Sequence, residues 1–261
     1  FIDTKNFPLS ELECPTASEM AKVLENSYRA ANIAFIREWG QFAQDAGVDL
    51  YDIIEAIRVR STHNNIMWPG FGVGGYCLSK DSLLADWSAK NHFKNKCGLK
   101  SSVNSVKIND RMPEDTVSLI KNKIGNMKGR TITLLGISYL NDVADTRFSP
   151  SYIFSKTCMK EGAKMIFHDP LVEFWQEMEL KICNNISDLK DHKHDIVVFA
   201  VRHKDYLELP VTSMLSYFPD SVLFVDAFNI LNKDKIKKLK EYGKEIIGIG
   251  KGDLNTLQKG F

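Results

Sequence analysis

The segment TITLLGISYLNDVADTRFSPSYIFSKTCMKEGAKMIF, residues 131–167, reads as a strand, a helix and a second strand. Two short runs suited to strands, Thr131–Leu135 and Lys164–Phe167, flank a helical pattern over Ser149–Lys160. Short runs of this kind, bounded by Gly, Pro and Asp and separated by a helix, are typical of a β-α-β unit. The segment therefore predicts parallel strands in an α/β domain.

The same alternation continues downstream of this unit. Further strand-like runs lie at Asp195–Val201, Val222–Val225 and Glu245–Ile249. Residues 128–261 are therefore predicted to form a small Rossmann-like α/β domain with a parallel sheet. Its first strand ends in Gly136-Ile-Ser-Tyr139, which has no second glycine at the spacing that a dinucleotide-binding turn requires.

The chain ahead of this domain has helical periodicity. The capping box Thr16-Ala-Ser-Glu19 predicts a helix start, and Gly47 predicts its end. Between them an apolar stripe at helical spacing consists of Met20, Leu24, Tyr28, Ala31, Phe35 and Phe42. Further helices are predicted at Leu50–Arg58 and at Ser101–Ile124, the latter interrupted near Pro113. Residues 1–127 are thus predicted to be all-helical, and their long helices carry more apolar surface than so small a domain can bury. We therefore expect a homodimer.

Composition excludes several classes of protein. The 261 residues carry a formal net charge of +1, which predicts neither a nucleic-acid nor a membrane-surface partner. The longest apolar run, near Ile196–Val201, is too short to cross a membrane. The five cysteines form no CxxC pair, so neither a metal site nor a disulfide framework is predicted. Reduced thiols favour a cytoplasmic location.

A glycine-rich loop reads Pro69-Gly-Phe-Gly-Val-Gly-Gly-Tyr-Cys77-Leu-Ser-Lys80-Asp81. Its glycines match GxGxxG, but the polar residues 62–68 before it are no buried strand, so we reject a dinucleotide site here. The glycines instead allow close backbone approach and present Cys77 at the start of a helix. The positive end of a helix favours a thiolate, which is the nucleophilic form, and Lys80 adds to this. A flexible loop with a passive cysteine is the alternative interpretation.

Two other groups of residues are chemically suggestive. Lys22 and Asn26 share one helix face, away from the apolar stripe, and could stabilise an oxyanion, although a solvated face is the usual explanation. Arg147, in Asp145-Thr-Arg-Phe-Ser149-Pro150, could bind a phosphate at the edge of the sheet, and Ser149 could cap the next helix. The stretch His192-Lys-His194 is interpreted as solvated surface.

Taken together, these motifs resemble the nucleotide-sugar (UDP-glucose/GDP-mannose) 6-dehydrogenases. The resemblance rests on Glu19-x-x-Lys22-x-x-x-Asn26, Gly72-Val-Gly-Gly-x-Cys77-x-x-Lys80-Asp81 and Asp145-x-Arg147-x-Ser149-Pro150. Asn109-Asp-Arg-Met-Pro113, His168-Asp-Pro170 and Gly248-Ile-Gly250 are similar to the branch that acts on UDP-N-acetylhexosamines.

The resemblance implies a three-domain enzyme that oxidises the sugar C6 alcohol to an acid in two NAD-dependent steps. Residues 1–127 would be its central dimerisation domain and residues 128–261 its nucleotide-sugar-binding domain. The N-terminal domain that binds most of the NAD is expected to be absent from this chain.

The resemblance also implies roles for individual residues. Cys77 would form a thiohemiacetal and then a thioester, with Lys22 and Asn26 stabilising oxyanions and Asp81 assisting proton transfer. The implied NAD contacts are Arg147 and Lys80. The implied substrate contacts are Phe71, Gly74, Tyr139 and His63, the last supplied across a dimer.

Some basic residues of the family pattern are replaced here. Leu140 stands where a lysine is usual, residues 227–229 contain no arginine, and His63 stands in place of an arginine. A non-catalytic dimeric remnant or a nucleotide-sugar-binding module is therefore a second hypothesis. A hydroxyacid or 6-phosphogluconate-type dehydrogenase is a third, but it needs neither the Cys77 loop nor a second α/β domain.

Overall fold

The computed structural model describes residues 3–256 as a helical N-terminal region followed by a five-stranded parallel sheet, which confirms the predicted fold class. The helices of the first region are α1 (Pro15–Ala46), α2 (Leu50–Arg58), α3 (Tyr76–Asn91) and α4 (Lys100–Ile124). The strands are β1 (Thr131–Leu135), β2 (Lys164–His168), β3 (Phe174–Trp175), β4 (Leu180–Lys181), β5 (Ile196–Phe199), β6 (Leu223–Asp226) and β7 (Glu245–Gly248). The remaining helices are α5 (Pro150–Lys160), α6 (Lys204–Glu208), α7 (Val211–Tyr217), α8 (Lys233–Glu241) and α9 (Asp253–Thr256). None of these helices is long and apolar enough to cross a membrane.

The order of the strands creates a crevice at one edge of the sheet. The parallel strands are ordered β2-β1-β5-β6-β7, so the chain leaves β1 first to one side and later to the other. In open α/β sheets ligands bind outside the carboxyl ends of the strands at such a switch point. The ends of β1 and β5 therefore mark the place to look for a site. Strands β3 and β4 form a separate antiparallel ribbon, which the periodicity did not predict.

Both faces of the sheet are covered, which explains why its strands are so uniformly apolar. One face packs Ile132, Leu134 and Val198 against α5 and against Val117 and Ile120 of α4. The other face packs the alternate strand residues against α7 and α8. Helix α4 thus contributes to the core of the sheet, while α1, α2 and α3 also form smaller apolar clusters of their own.

Helix α1 differs from its prediction at the start and agrees at the end. It begins at Pro15 with Cys14 as the N-cap residue, and no side chain hydrogen-bonds to its first turn as a cap. The prediction of a capping box that begins at Thr16 is therefore wrong. Proline suits the first helical position because its missing N–H has no helical partner there. The helix ends where predicted, at Gly47, whose φ of 73° is in the left-handed region.

Helix α4 is continuous through Pro113, contrary to the predicted interruption. Pro113 has no N–H, so the carbonyl of Asn109 lacks its helical donor. That carbonyl faces the glycine-rich loop, where a Cβ added to Gly72 would lie 3.4 Å from its oxygen. The lost bond is therefore at the point where the loop packs on the helix.

The apolar residues of α1 are not in the core of this chain. Met20, Leu24, Tyr28, Phe35, Trp39 and Phe42, hereafter the α1 stripe, are between 45% and 65% exposed. The face of α1 that packs inward consists mostly of small side chains, such as Ala30, Ala34 and Ala43. A large apolar face is thus left uncovered by the chain's own fold.

Histidines near the sheet are buried, including one that was predicted to be solvated. His194 is fully buried, with ring nitrogens bonded to Thr133 Oγ1 at 2.6 Å and to the Leu189 carbonyl oxygen at 2.7 Å. The interpretation of residues 192–194 as surface is therefore wrong for His194, because the strand that follows carries it into the core. His168 is equally enclosed, and its Nδ1 lies 2.8 Å from the Tyr206 hydroxyl.

Stability is expected to fall in mild acid because of His168. Burial lowers the pKa of its ring from 6.5 to about 4, so the fold favours the neutral ring. That contribution is complete above pH 6.5 and is lost as the pH falls towards 4; from about pH 7.5 to about pH 5 it shrinks by about 2 kcal/mol. Urea unfolding at both pH values should show this loss in the wild type and not in His168→Gln. Equal losses in the two proteins would contradict the assignment.

Candidate active site

Cys77 lies in the first turn of α3, at the end of the glycine-rich loop. Gly75 is the N-cap residue, with a φ of 83° that favours glycine, and the Cys77 side chain is exposed. The predicted position of the cysteine at a helix start is therefore confirmed. The loop and α3 together present the thiol to solvent beside the positive end of the helix.

The loop that leads to Cys77 is anchored on two sides. Asn109 of α4 accepts a hydrogen bond from the Val73 backbone N–H and donates one to the Val73 carbonyl, both at 2.8 Å. On the other side the Gly75 N–H donates to the Arg147 carbonyl oxygen at 3.0 Å. These contacts contradict the alternative of a free flexible loop. In the sequence analysis Asn109 contributed only to the family resemblance, and the hydrogen bonds of its side chain to the loop were not predicted.

A buried carboxylate gathers three polar side chains next to Cys77. Asp81 of α3 is 1% exposed, and its Oδ2 accepts hydrogen bonds from the Lys22 ammonium and, at 2.7 Å, from Asn26 Nδ2. Its Oδ1 accepts from Lys80 Nζ at 3.2 Å. The face of α1 that carries Lys22 and Asn26 therefore meets α3 and is not simply solvated.

The charges of this cluster stabilise one another. Burial raises the pKa of Asp81, but the hydrogen bonds from Lys22, Asn26 and Lys80 outweigh it, so the pKa lies below its usual range. The hydrogen bond to Asp81 raises the pKa of Lys22, and the neighbouring Cys77 sulfur acts in the same direction. At neutral pH an ammonium and a carboxylate therefore persist beside the thiol.

The cluster keeps donors free for a ligand. An ammonium has three N–H donors and a primary amide has two, and Asp81 takes one from Lys22 and one from Asn26. The remaining donors can stabilise negative charge that develops on an oxygen close to Cys77. The arrangement thus combines a nucleophile with oriented oxyanion donors.

The predicted substrate contacts Phe71, Gly74 and Tyr139 come together where the loop meets the sheet. A Cβ added to Gly74 would lie 2.3 Å from the Phe148 carbonyl oxygen and 2.8 Å from Tyr139 Cβ, so only glycine fits there. Phe71 is buried, and its ring packs against Phe154 with centroids 5.2 Å apart. Phe71 thus fixes the loop on the sheet as well as bordering the site.

A cavity of about 130 Å³ lies at the switch point of the sheet, between the glycine-rich loop and the ends of β1 and β5. From the loop it is lined by Phe71, Gly72 and Val73, and after β1 by Ser138, Tyr139, Leu140 and Asn141. The rest of the wall consists of Pro150, Ser151, Ala200, Val201, Arg202 and Phe228. Of the four predicted substrate residues, Phe71 and Tyr139 line this cavity.

The other predicted contacts are placed differently. Arg147 is exposed, and its guanidinium is held by Asp145 at 2.7–3.1 Å, so it lines neither cavity. Lys80 Nζ also lies 4.9 Å from the ring centre of Tyr76. His63 is exposed on a short 3-10 turn, where Nδ1 lies 2.8 Å from Thr62 Oγ1, and the fold does not bring it to the other residues.

Ser149 caps the start of α5, which confirms the prediction that it could cap this helix. Its hydroxyl oxygen accepts a hydrogen bond from the Ser151 N–H at 3.2 Å. Ser149 is buried at the same turn that holds Arg147 near the loop. The motif therefore orders the backbone beside the cavity.

A larger cavity of about 460 Å³ lies elsewhere, between α1 and α4. Its wall includes the ion pair of Arg37 and Asp115, whose closest atoms are 2.7 Å apart. Cys77, Lys22 and Asp81 line neither cavity. We place the candidate site at the smaller cavity because Phe71, Gly72 and Val73 of the loop that leads to Cys77 form part of its wall. In the part of the chain that the structure describes, no cluster of His, Cys, Asp or Glu could hold a metal ion.

Sequence reasoning missed a buried network behind the cavity wall. Asp169 Oδ2 accepts from the backbone N–H groups of Ile137 and Ser138 and lies 3.2 Å from His203 Nε2. The polar pair His168-Asp169 directly after a strand was the available signal. In the sequence analysis this pair contributed only to the resemblance, because the neighbouring residues do not show which groups a buried aspartate will contact.

Comparison with known proteins agrees with this architecture. Residues 16–110 match the UDP-glucose/GDP-mannose dehydrogenase family, central domain, and residues 133–233 match the UDP binding domain of the same family. The chain belongs to this family.

Relatives with curated names include UDP-N-acetyl-D-mannosamine dehydrogenases and a UDP-glucose 6-dehydrogenase. The chain is 29% identical over 245 residues to UDP-N-acetyl-D-mannosamine dehydrogenase of Pyrococcus horikoshii, covering 92% of this chain and 53% of that protein. It is 33% identical over 233 residues to the protein of that name from Methanococcus maripaludis, covering 85% and 50%. The chain thus spans about half the length of the relatives it matches.

Solved structures share the fold. NDP-N-acetyl-D-galactosaminuronic acid dehydrogenase from Methanosarcina mazei Go1 aligns with a TM-score of 0.80 at 25% identity, over 92% of this chain and 52% of that one. UDP-D-ManNAc dehydrogenase from Pyrococcus horikoshii aligns with a TM-score of 0.75 at 27% identity, over 91% and 53%.

Proposed function

We propose that this chain is the central and nucleotide-sugar-binding part of an NAD-dependent dehydrogenase. The enzyme would oxidise the C6 alcohol of a UDP-sugar to a uronic acid. The observation that supports this best is the convergence of an exposed Cys77 with Lys22, Asn26 and buried Asp81, next to a cavity at the switch point of the sheet. A passive binding module needs no such cluster beside the cysteine.

In this proposal Cys77 provides the covalent step. Its sulfur attacks the carbonyl carbon of the C6 aldehyde, a C–S bond forms, and the carbonyl electrons move to oxygen. Lys22 and Asn26 stabilise that oxyanion. Loss of a hydride from the carbon yields a thioester; water then adds, the C–S bond breaks, and the acid leaves with Cys77 regenerated.

The role of Asp81 follows from its ionisation. With its pKa below the usual range, the carboxylate is charged at neutral pH. It can accept a proton but has none to donate, and it holds Lys22 and Asn26 in place. Asp81 is thus assigned to orientation and to acceptance of a proton.

The cofactor would be held mostly by residues outside those described. The turn after β1 does not fit the dinucleotide fingerprint, since it has Gly136 but no second glycine at the required spacing. Lys80 and Arg147, on the rim near Cys77, are the residues that would reach the NAD phosphates. When bound, NAD accepts the hydride in each oxidation.

Thermal unfolding with ligands tests the proposed substrate class. UDP, UDP-glucose, UDP-N-acetylglucosamine, UDP-N-acetylmannosamine and GDP-mannose are compared, with NAD as control. A ligand at about one hundred times its dissociation constant adds about 2.7 kcal/mol, and each kcal/mol raises the Tm of a domain this size by about 2–4 °C. We expect a rise with a UDP-sugar and none with NAD. No rise with any nucleotide would overturn the proposal.

Cys77 is expected to be the most reactive thiol of the chain. Cys77 is exposed at the start of α3 beside the Lys22 ammonium, whereas burial raises the pKa of Cys158 to about 12. Iodoacetamide labelling near neutral pH, followed by peptide mapping, should modify Cys77 faster than the equally exposed Cys97. Lys22→Met should slow labelling at Cys77 alone. Equal rates at Cys77 and Cys97 would favour the non-catalytic binding module.

We also propose that the chain forms a homodimer through the α1 stripe. Its six large apolar side chains lie on one face of a 32-residue helix and are not covered by the chain's own fold. A continuous apolar face of this kind is typical of an interface between subunits. Sedimentation at micromolar concentration should give the mass of a dimer, and a monomer would contradict the proposal.

A further inference from the structure

Arg202 has an unusual position in the wall of the 130 Å³ cavity. It follows the carboxyl end of β5 and contributes the one guanidinium, ammonium or carboxylate among the residues that line the cavity. Within residues 3–256 its side chain makes no hydrogen bond and no ion pair, and it is exposed. An unpaired cation therefore borders an otherwise uncharged cavity.

The backbone that carries Arg202 is held in place by its neighbour. His203 is fully buried, and its Nδ1 accepts a hydrogen bond from the Asp142 N–H at 2.9 Å. Its Nε2 lies 3.1 Å from Ser138 Oγ and 3.2 Å from Asp169 Oδ2. The imidazole thus ties β5 to the loop after β1, so both walls of the cavity are fixed relative to each other.

The other side chains that line the cavity carry no charge. Leu140 and Phe228 are apolar, and Ala200 and Val201 are buried parts of the wall. Arg147 does not line this cavity, and its guanidinium is bound to Asp145. An anion that enters this cavity therefore meets one available cation, and the planar guanidinium suits the oxygens of a phosphate.

We propose that Arg202 is the anion-binding residue of the cavity and contacts the diphosphate of the nucleotide sugar. This inference rests on the proposed function, because it takes the ligand to be a nucleoside diphosphate derivative. In this proposal the cation that binds the phosphates follows β5. It does not lie at Leu140 or within residues 227–229, where the family pattern has basic residues.

Calorimetric titration of the 261-residue chain with UDP and with uridine tests the assignment. Arg202→Met should weaken UDP binding about tenfold or more, because a charge-assisted hydrogen bond is lost. Its uridine binding should be unchanged, since uridine carries no phosphate. Arg202→Lys should retain part of the affinity for UDP. Lys237→Met, which removes an exposed charge on α8 away from the cavity, is the matched control and should bind UDP as the wild type does.

The outcomes separate this inference from the proposed function. If the wild type binds UDP and Arg202→Met binds it equally well, the role of Arg202 is wrong and the proposed function stands. If Arg202→Met loses uridine binding in the same proportion, Arg202 shapes the cavity and does not bind the anion. If the wild type binds no UDP, both proposals fail. Arg202 has no intramolecular partner, so each variant is expected to keep the wild-type Tm.

Discussion

Replacing Asp169 by alanine is expected to lower the free energy of unfolding by about 3–5 kcal/mol, because it breaks a buried network of charged and polar groups. The carboxylate is fully buried, and both of its oxygens are used. The donors are the backbone N–H groups of Ile137, Ser138, Leu171 and Val172 and the ring of His203, at 2.9–3.2 Å. These groups come from the ends of three strands.

Without Asp169 those donors would stay buried and unpaired, which is why the cost exceeds that of an ordinary surface change. Burial raises the pKa of Asp169, but the bond from His203 and the backbone donors outweigh it and lower the pKa. The stabilisation is therefore complete above pH 3.8 and is lost only below that value. At neutral pH the full effect should be seen.

Urea unfolding near pH 7 measures the effect. Asp191→Ala is the matched control, since Asp191 is an exposed carboxylate in the same domain with no intramolecular bond to its side chain in the described chain. We expect the control to change stability by less than about 0.5 kcal/mol. A loss below about 1 kcal/mol in Asp169→Ala would show that the strand ends hold together without the carboxylate.

Gly74→Ala is expected to have the second large effect, a loss of about 3 kcal/mol together with loss of UDP binding. The new methyl group would lie 2.3 Å from the Phe148 carbonyl oxygen, which is backbone and cannot turn aside. The loop that leads to Cys77 would have to separate from the loop after β1. The Gly75–Arg147 backbone hydrogen bond and the cavity between the loops would be lost with it.

Gly40→Ala is the matched control for this substitution. Gly40 lies inside α1, and an added Cβ would make an ordinary contact of 3.5 Å with Pro69. Alanine is the better helix former, so the control should gain up to about 1 kcal/mol. Urea unfolding and UDP titration of both variants provide the comparison. Unchanged stability and binding in Gly74→Ala would mean that the two loops are not packed as described.

Elements whose pattern is local were predictable from the sequence. Helix α2 spans Leu50–Arg58 as predicted, and β1 spans Thr131–Leu135 as predicted. In both elements the apolar periodicity follows directly from which side chains face the core. The predicted start of α1 and the predicted interruption of α4 at Pro113 were wrong. A capping motif and a proline are each compatible with more than one backbone conformation.

The features of the candidate site likewise divide into those that the sequence indicates and those that only the tertiary structure shows. Its glycine-rich loop, its cysteine at a helix start and the spacing of Lys22 and Asn26 are all visible in the sequence. That these two side chains meet Asp81 is visible only in the packing of α1 on α3. The position of Arg202 in the cavity wall was likewise absent from any local pattern.

Apolar periodicity and glycine placement were thus enough for the fold class, for the order of the long helices and the five strands of the main sheet, and for the choice of candidate site residues. The tertiary structure was needed to decide which of those residues are neighbours. The reason is the strand order, which places β1 between strands that follow it in sequence and so brings distant loops to one edge. The contact of Ser138 with His203, 65 positions apart, arises from this order, and that of Asn26 with Asp81, 55 positions apart, arises from the packing of α1 on α3.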